Sequence, residues 1–433
     1  MRTSKLHNPV LGSLVLLVVC TTAAVAQPAK ESVLYAFGTN GRTNDGSNPN
    51  GALIFDSAGN IYGTTASGGT NCTQNSLRCG TLFELSPSSE GGWSETVLYS
   101  FCQSGYPNCV DGAVPQAGLL IDSSGNLYGT TSAGGTGPCT GFGGSINGCG
   151  TVFELLPSSG GTWNHSVLYS FGGQVEGDGE TPTYAQLTSD ATGSLYGTTP
   201  SGGVTNRGIV YQLIPPEAPG GTWTEVVIHN FCQNNCSDDG DAPWGGVTLD
   251  NAGNLYGTTE TGGKDGSWGV LYELSPNSNG SWTETVLFNF TQKHGGVSES
   301  GVAIDAAGNL YGTLSSGGLK DCGAYYCGGV FKVSPSMGRE ESFLFDGKDG
   351  GGPIAGVVIS GNAAYGTTTS GAGTVFRIQG RTETVLYTFC ARSHCADGGI
   401  PSPGALTQNS GRLYGTTGNG GRYNGGVVFE ITP

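Results

Sequence analysis

Six aspartates recur in one local context along this chain. Asp45, Asp111, Asp178, Asp239, Asp349 and Asp397 are each followed by glycine and, a few residues later, by proline. Carboxylates in that setting can do two things. They can cap turns, because Asp accepts hydrogen bonds from nearby backbone N–H groups and the glycine takes backbone angles that other residues avoid. If the fold gathers them, they can ring a cation, and Ca²⁺ is the cofactor that hard oxygen ligands would select. A second set is aromatic. Tyr106, Phe142, Trp244, Trp268, Tyr325, Tyr326 and Tyr423 stand in irregular, Gly-rich stretches, each in a context no other part of the chain repeats. Aromatic side chains on such loops can stack on sugar rings or anchor a protein partner.

Recognisable catalytic machinery is missing. His165, His229, His294 and His394 are scattered, with no His-x-x-x-His or Glu-His pair to suggest a metal site. No Gly-x-Ser-x-Gly elbow or phosphate loop occurs in a strand–helix context. Glycoside hydrolysis needs two carboxylates with separated proton affinities, and no unshared acidic pair stands out along the chain.

Thirteen cysteines divide into Cys20 and twelve others that fall into local couples: Cys72/Cys79, Cys102/Cys109, Cys139/Cys149, Cys232/Cys236, Cys322/Cys327 and Cys390/Cys395. An even set of this kind in an exported chain implies disulfides. The couples share no Cys-x-x-Cys rhythm, which argues against a structural zinc site. Bridges closing such short loops stiffen them more than they hold a domain together.

Export itself is read from the first 26 residues. Arg2 and Lys5 precede an apolar run from Val10 to Val19, and Ala24-Val25-Ala26 offers a small-x-small cleavage site. Residues 1–26 therefore read as a secretory signal peptide, and no other stretch could span a bilayer as a helix. Val19 is not the small residue that lipidation of Cys20 would require, so a lipoprotein is disfavoured. The expected location is secreted, periplasmic or cell-surface. A net charge of −16 with only 17 Lys and Arg leaves no basic footprint, which excludes nucleic acid as a partner.

The elements that must position these residues announce themselves by repetition. Tyr-Gly-Thr-Thr, or a one-residue variant, begins at Tyr62, Tyr128, Tyr196, Tyr256, Tyr311, Tyr365 and Tyr414, at intervals of 49 to 68 residues by subtraction. One unit reads as four short strands, here a to d: 118–122, 127–131, 150–155 and 166–171, rich in β-formers and bounded by turn residues. With 79 glycines and no apolar 3.6-residue period, helix is excluded from the mature chain. Strands c and d carry apolar residues on both faces, as expected of sheets sandwiched between other sheets. The first strand, 33–37, matches strand d, while the last residues match strand c and then the chain stops. The reading is an all-β, seven-bladed β-propeller with four antiparallel strands per blade. It spans 27–433, and the N-terminal strand 33–37 closes the last blade, 404–433.

The motifs Asp-x-x-Gly-Asn-Leu-Tyr-Gly-Thr-Thr-x-x-Gly-Gly, Gly-Thr-Val-Phe-Glu-Leu and Glu-Thr-Val-Leu-Tyr-Ser-Phe resemble the GloVer repeat of bacterial extracellular tandem-repeat proteins. The resemblance implies export and a propeller-like repeat, and it carries over no catalytic residue. Residues repeated in every blade are scaffold, so function belongs to what differs between blades. In an up-and-down blade the d–a and b–c loops share one face, and here those loops hold all six cysteine couples and the unshared aromatics. The expectation is an exported non-enzymatic module that binds a glycan or an extracellular protein on that face. The alternatives are an exported carbohydrate-active hydrolase or lyase, and a structural envelope or matrix component.

Overall fold

Seven antiparallel sheets, one for each Tyr-Gly-Thr-Thr copy, follow one another in a ring, as a seven-bladed β-propeller. The structure is a computed structural model and describes residues 29–38, 45–70, 79–89, 91–139, 146–218, 220–233, 235–237, 239–264, 266–318, 327–335, 339–348 and 350–433. The segment read as a signal peptide lies outside these. In blade two the strands are Leu120–Ile121, Leu127–Thr131, Thr151–Pro157 and Trp163–Ser170, hydrogen-bonded in that order. Strand d thus begins earlier than its apolar residues suggest, because the preceding Trp already pairs across the c–d hairpin. The only helical pieces among the described residues are single 3₁₀ turns at Gln174–Glu176 and Ser393–Cys395.

The repeated motif has a packing reason. The glycine of Tyr-Gly-Thr-Thr lies under an aromatic ring from strand c: Phe83, Phe153, Tyr211, Tyr272, Phe331, Phe376 and Phe429 in turn. A Cβ on any of these seven glycines would come within 2.3–2.6 Å of that ring. The same ring meets the buried Phe ending strand d of the preceding blade. The seven contacts, from Phe37–Phe83 round to Phe389–Phe429, have centroids 4.9–5.2 Å apart at steep interplanar angles. Each is worth about 0.5–1.5 kcal/mol beyond the area it buries. The tyrosine is accounted for as well. Its hydroxyl donates to the turn aspartate six residues earlier, as Tyr196 does to Asp190 at 2.9 Å. Burial alone would raise Asp190, but hydrogen bonds from Thr192, Tyr196 and backbone N–H groups hold its carboxyl below the usual range.

Closure occurs where the orphan strands implied it. Lys30–Ala36 pairs antiparallel with Val427–Thr432, with Val33 opposite Phe429. Arg392, from the loop after blade six, reaches Glu31 on this closing strand at 2.6 Å. The last blade is therefore built from both ends of the fold, and no sheet edge is left open there.

Candidate functional site

The innermost strands surround a central cavity of about 350 Å³. Its mouth is built by the segment that enters each strand a. The first threonine of the Thr-Thr pair locks that segment to the preceding blade at a defined height. Thr64 donates to the carbonyl of Ala117 (3.1 Å), Thr198 to Gly245 (2.9 Å), Thr258 to Ser300 (2.8 Å) and Thr313 to Ala355 (2.9 Å). All four hydroxyls are buried, so each bond is costly to lose. Close approach reinforces the lock: a Cβ on Gly245 would sit 2.2 Å from the backbone of Ser300.

The residue just before each locked carbonyl has the same place in every blade and a different identity in each: Asn50, Gln116, Tyr184, Trp244, Glu299, Ile354 and Pro403. Gln116, Tyr184, Glu299 and Pro403 line the cavity directly. Tyr184 and Trp244 stand side by side, with ring centroids 6.1 Å apart and a 31° tilt. A second unshared position, the residue after Tyr-Gly-Thr-Thr, holds these side chains. Ser132 donates to the Gln116 amide oxygen (3.1 Å), Ser315 to Glu299 (3.3 Å), and the Trp244 indole N–H donates to Glu260 (2.6 Å). Glu299 is pushed above the usual carboxylate range, first by burial and then by the charge of Glu260. Burial and the Glu299 charge likewise raise the Tyr184 phenol. Aromatic faces, an amide and two unequal carboxylates thus converge at one half-buried, concave place.

Of the aromatics expected on the loop face, Trp244 belongs to this mouth. Trp268 packs against Gly296 in the next blade's entry. Tyr106 and Tyr423 are exposed at 40% and 36%, on separate loops. Phe142, Tyr325 and Tyr326 lie outside the described residues. Tyr184, Glu260 and Glu299 were not singled out by sequence reasoning. A signal for two of them was present, since counting six residues back from each turn aspartate, Asp122, Asp190, Asp250 and Asp305, lands on Gln116, Tyr184, Trp244 and Glu299.

Five of the six aspartates lie within the described residues. None of the five described lines the central cavity, and each serves the outermost strand of the blade it follows. Asp178 accepts from the Tyr169 hydroxyl (2.8 Å) and the N–H groups of Gly172 (2.6 Å) and Gly179 (2.5 Å). Asp111 accepts from Tyr99 and the N–H of Gln103, Asp397 from Tyr387 and the N–H groups of Ala391 and Arg392, and Asp45 from the N–H of Gly38. Asp239 caps its loop through the N–H groups of Cys232 (2.8 Å) and Gly240 (2.6 Å). Backbone donors, joined by a tyrosine at Asp111, Asp178 and Asp397, hold these carboxylates in their turns. Asp349 lies outside the described residues.

Bridges join Cys102–Cys109, Cys139–Cys149, Cys232–Cys236 and Cys390–Cys395, all within the expected couples. Cys79 and Cys327 are also disulfide-bonded, and Cys72 and Cys322 lie outside the described residues. No helix among the described residues is long and apolar enough to cross a membrane.

Residues 139–326 and 283–433 match the model of the Gloeobacter/Verrucomicrobia repeat. No curated protein matches the chain. Among solved structures, an ancestral GH74 enzyme is similar at 13% identity and a TM-score of 0.56, over 94% of this chain and 51% of its own. PorZ, a surface component of the type-IX secretion system of Porphyromonas gingivalis, is similar at 12% identity and a TM-score of 0.51, over 90% of this chain and 47% of its own. The chain thus spans about half the length of these two, and the likeness is one of fold.

Proposed function

The chain belongs to the Gloeobacter/Verrucomicrobia repeat family, and from that premise we propose an exported binding module that takes a glycan at the propeller mouth. One observation carries the reading. Seven blades share the scaffold around the mouth and differ at the one position that faces it, where Gln116, Tyr184, Trp244 and Glu299 are brought together. Side chains that differ on a shared, rigid frame are free to recognise a ligand. Aromatic faces beside amide and carboxylate groups suit sugar rings, which present C–H faces and hydroxyl edges. The concave volume suits a small ligand, whereas a protein partner would need roughly 800 Å² of its surface covered. Export rests on the leader-like residues 1–26 and on the disulfide-bonded loops.

A second reading has its own observation. Glu260 and Glu299 are unshared, interact electrostatically, and differ in surroundings, as the two carboxylates of a glycosidase do. Calorimetric titration of the mature chain with a panel of neutral oligosaccharides tests both. The module reading predicts saturable binding with no new reducing ends after long incubation. Reducing ends that appear with wild type and vanish with Glu299→Gln would establish the hydrolase instead, and a panel without any binding would refute both.

A further inference from the structure

We propose that His229, Asp239 and Glu284 form a binding site for a divalent transition-metal ion of the Zn²⁺ class at the seam between blades three and four. Neighbouring seams show what is unusual here. A strand d tyrosine donates to the loop aspartate at Tyr99–Asp111, Tyr169–Asp178 and Tyr387–Asp397, at 2.9, 2.8 and 2.7 Å. At this seam a histidine replaces the tyrosine, and His229 Nε2 stands 3.3 and 3.4 Å from the two Asp239 oxygens. Those separations exceed the usual N–H···O range of about 2.7–3.2 Å. They equal the ligand-to-ligand edge of a tetrahedron with bonds of about 2.0–2.1 Å, which is roughly 3.3–3.4 Å.

The third ligand comes from across the seam. Glu284 lies on strand d of blade four, and one ligand atom from each of the three residues falls within 4.8 Å of the others. Glu284 Oε1 is buried without a hydrogen-bond partner among the described residues, and so is the hydroxyl of the wholly buried Tyr272. Burial, then the charges of Glu284 and Asp239, raise that phenol, so both orphaned oxygens belong to one electrostatic neighbourhood. The equivalent oxygens of Glu225 and Tyr211 are unpartnered too at the preceding seam, so it is the histidine that sets this one apart. Asp239 is aimed by the N–H groups of Cys232 and Gly240, which would serve as outer-sphere support. The Cys232–Cys236 bridge braces the same loop. Both cysteines and Asp241 also lie close together, but bridged sulfurs are not thiolate ligands. One imidazole with two carboxylates favours Zn²⁺ over Ca²⁺, which takes six to eight oxygens. Three protein ligands leave a fourth position for water.

The test is calorimetric titration of the chelator-stripped mature chain with Zn²⁺. The expected result is one site per chain with a dissociation constant of about 1 μM or tighter. His229→Tyr rebuilds the tyrosine–aspartate pair of the other seams, so it should fold normally and lose at least about 100-fold in affinity. Glu284→Gln keeps the side chain's shape and should lose affinity comparably. A wild-type chain that takes up no Zn²⁺, or variants that bind it as wild type does, would overturn the site.

Discussion

Glu225→Gln should alter the pH dependence of stability more than stability at acid pH. Glu225 lies on strand d of blade three, and its Oε1 is buried without a hydrogen-bond partner among the described residues. Burial, followed by the charge of Asp178, pushes its carboxyl up to about 8. An acid raised in the folded state keeps a proton that the unfolded chain releases near its ordinary value of 4.5. Its contribution is therefore fully present below about 4.5 and is lost as pH rises toward about 8. At 1.36 kcal/mol per unit the full shift corresponds to about 5 kcal/mol. Water reaching the part-exposed group screens this to about 1–2 kcal/mol. For a chain of this length that is about 1–2 °C in Tm. Scanning calorimetry of both proteins at pH 5 and pH 8.5 is the assay. They should melt alike at pH 5, and the variant should melt higher at pH 8.5, since a neutral amide needs no proton. If both lose the same Tm between the two pH values, the seam carboxyl does not titrate as argued.

Other outcomes follow from ring closure and from the stacked rings. Deleting residues 27–37 removes the closing strand with Phe37 and the Glu31–Arg392 pair, so cooperative melting should give way to aggregation; a truncated protein that melts like the mature chain would refute closure. Gly129→Ala would place a Cβ 2.6 Å from the Phe153 ring, costing about 1–3 kcal/mol in denaturant unfolding, and an unchanged midpoint would contradict the stacking account. Replacing Cys390 and Cys395 together by Ser should cost less than about 3 kcal/mol, because the closed loop is short.

The fold was legible because the motif is periodic and its partners are local. Tyr196 and Asp190 are six residues apart, and orphan strands at the two ends imply each other. The site was less legible because its parts are far apart in sequence. Tyr184, Trp244 and Glu299 come from three blades, and nothing in one unit marks them. They stand out only when the blades are aligned on their turn aspartates. The Asp-Gly pattern was visible, but its use was not, since a carboxylate reads the same whether a cation or backbone N–H groups fill its oxygens. His229 and Glu284 show the limit most clearly: residues from adjacent blades meet across a seam that no local spacing describes.

The claim that function lies in the unshared residues of the mouth has a direct test. Affinity for the best-binding oligosaccharide should be measured by calorimetry for wild type, for Tyr184→Ala/Trp244→Ala, and for Tyr106→Ala/Tyr423→Ala on the exposed loops. The mouth variant should lose at least about tenfold, roughly 1.4 kcal/mol, while the loop variant binds as wild type does. Loss in the loop variant with binding retained in the mouth variant would contradict the account.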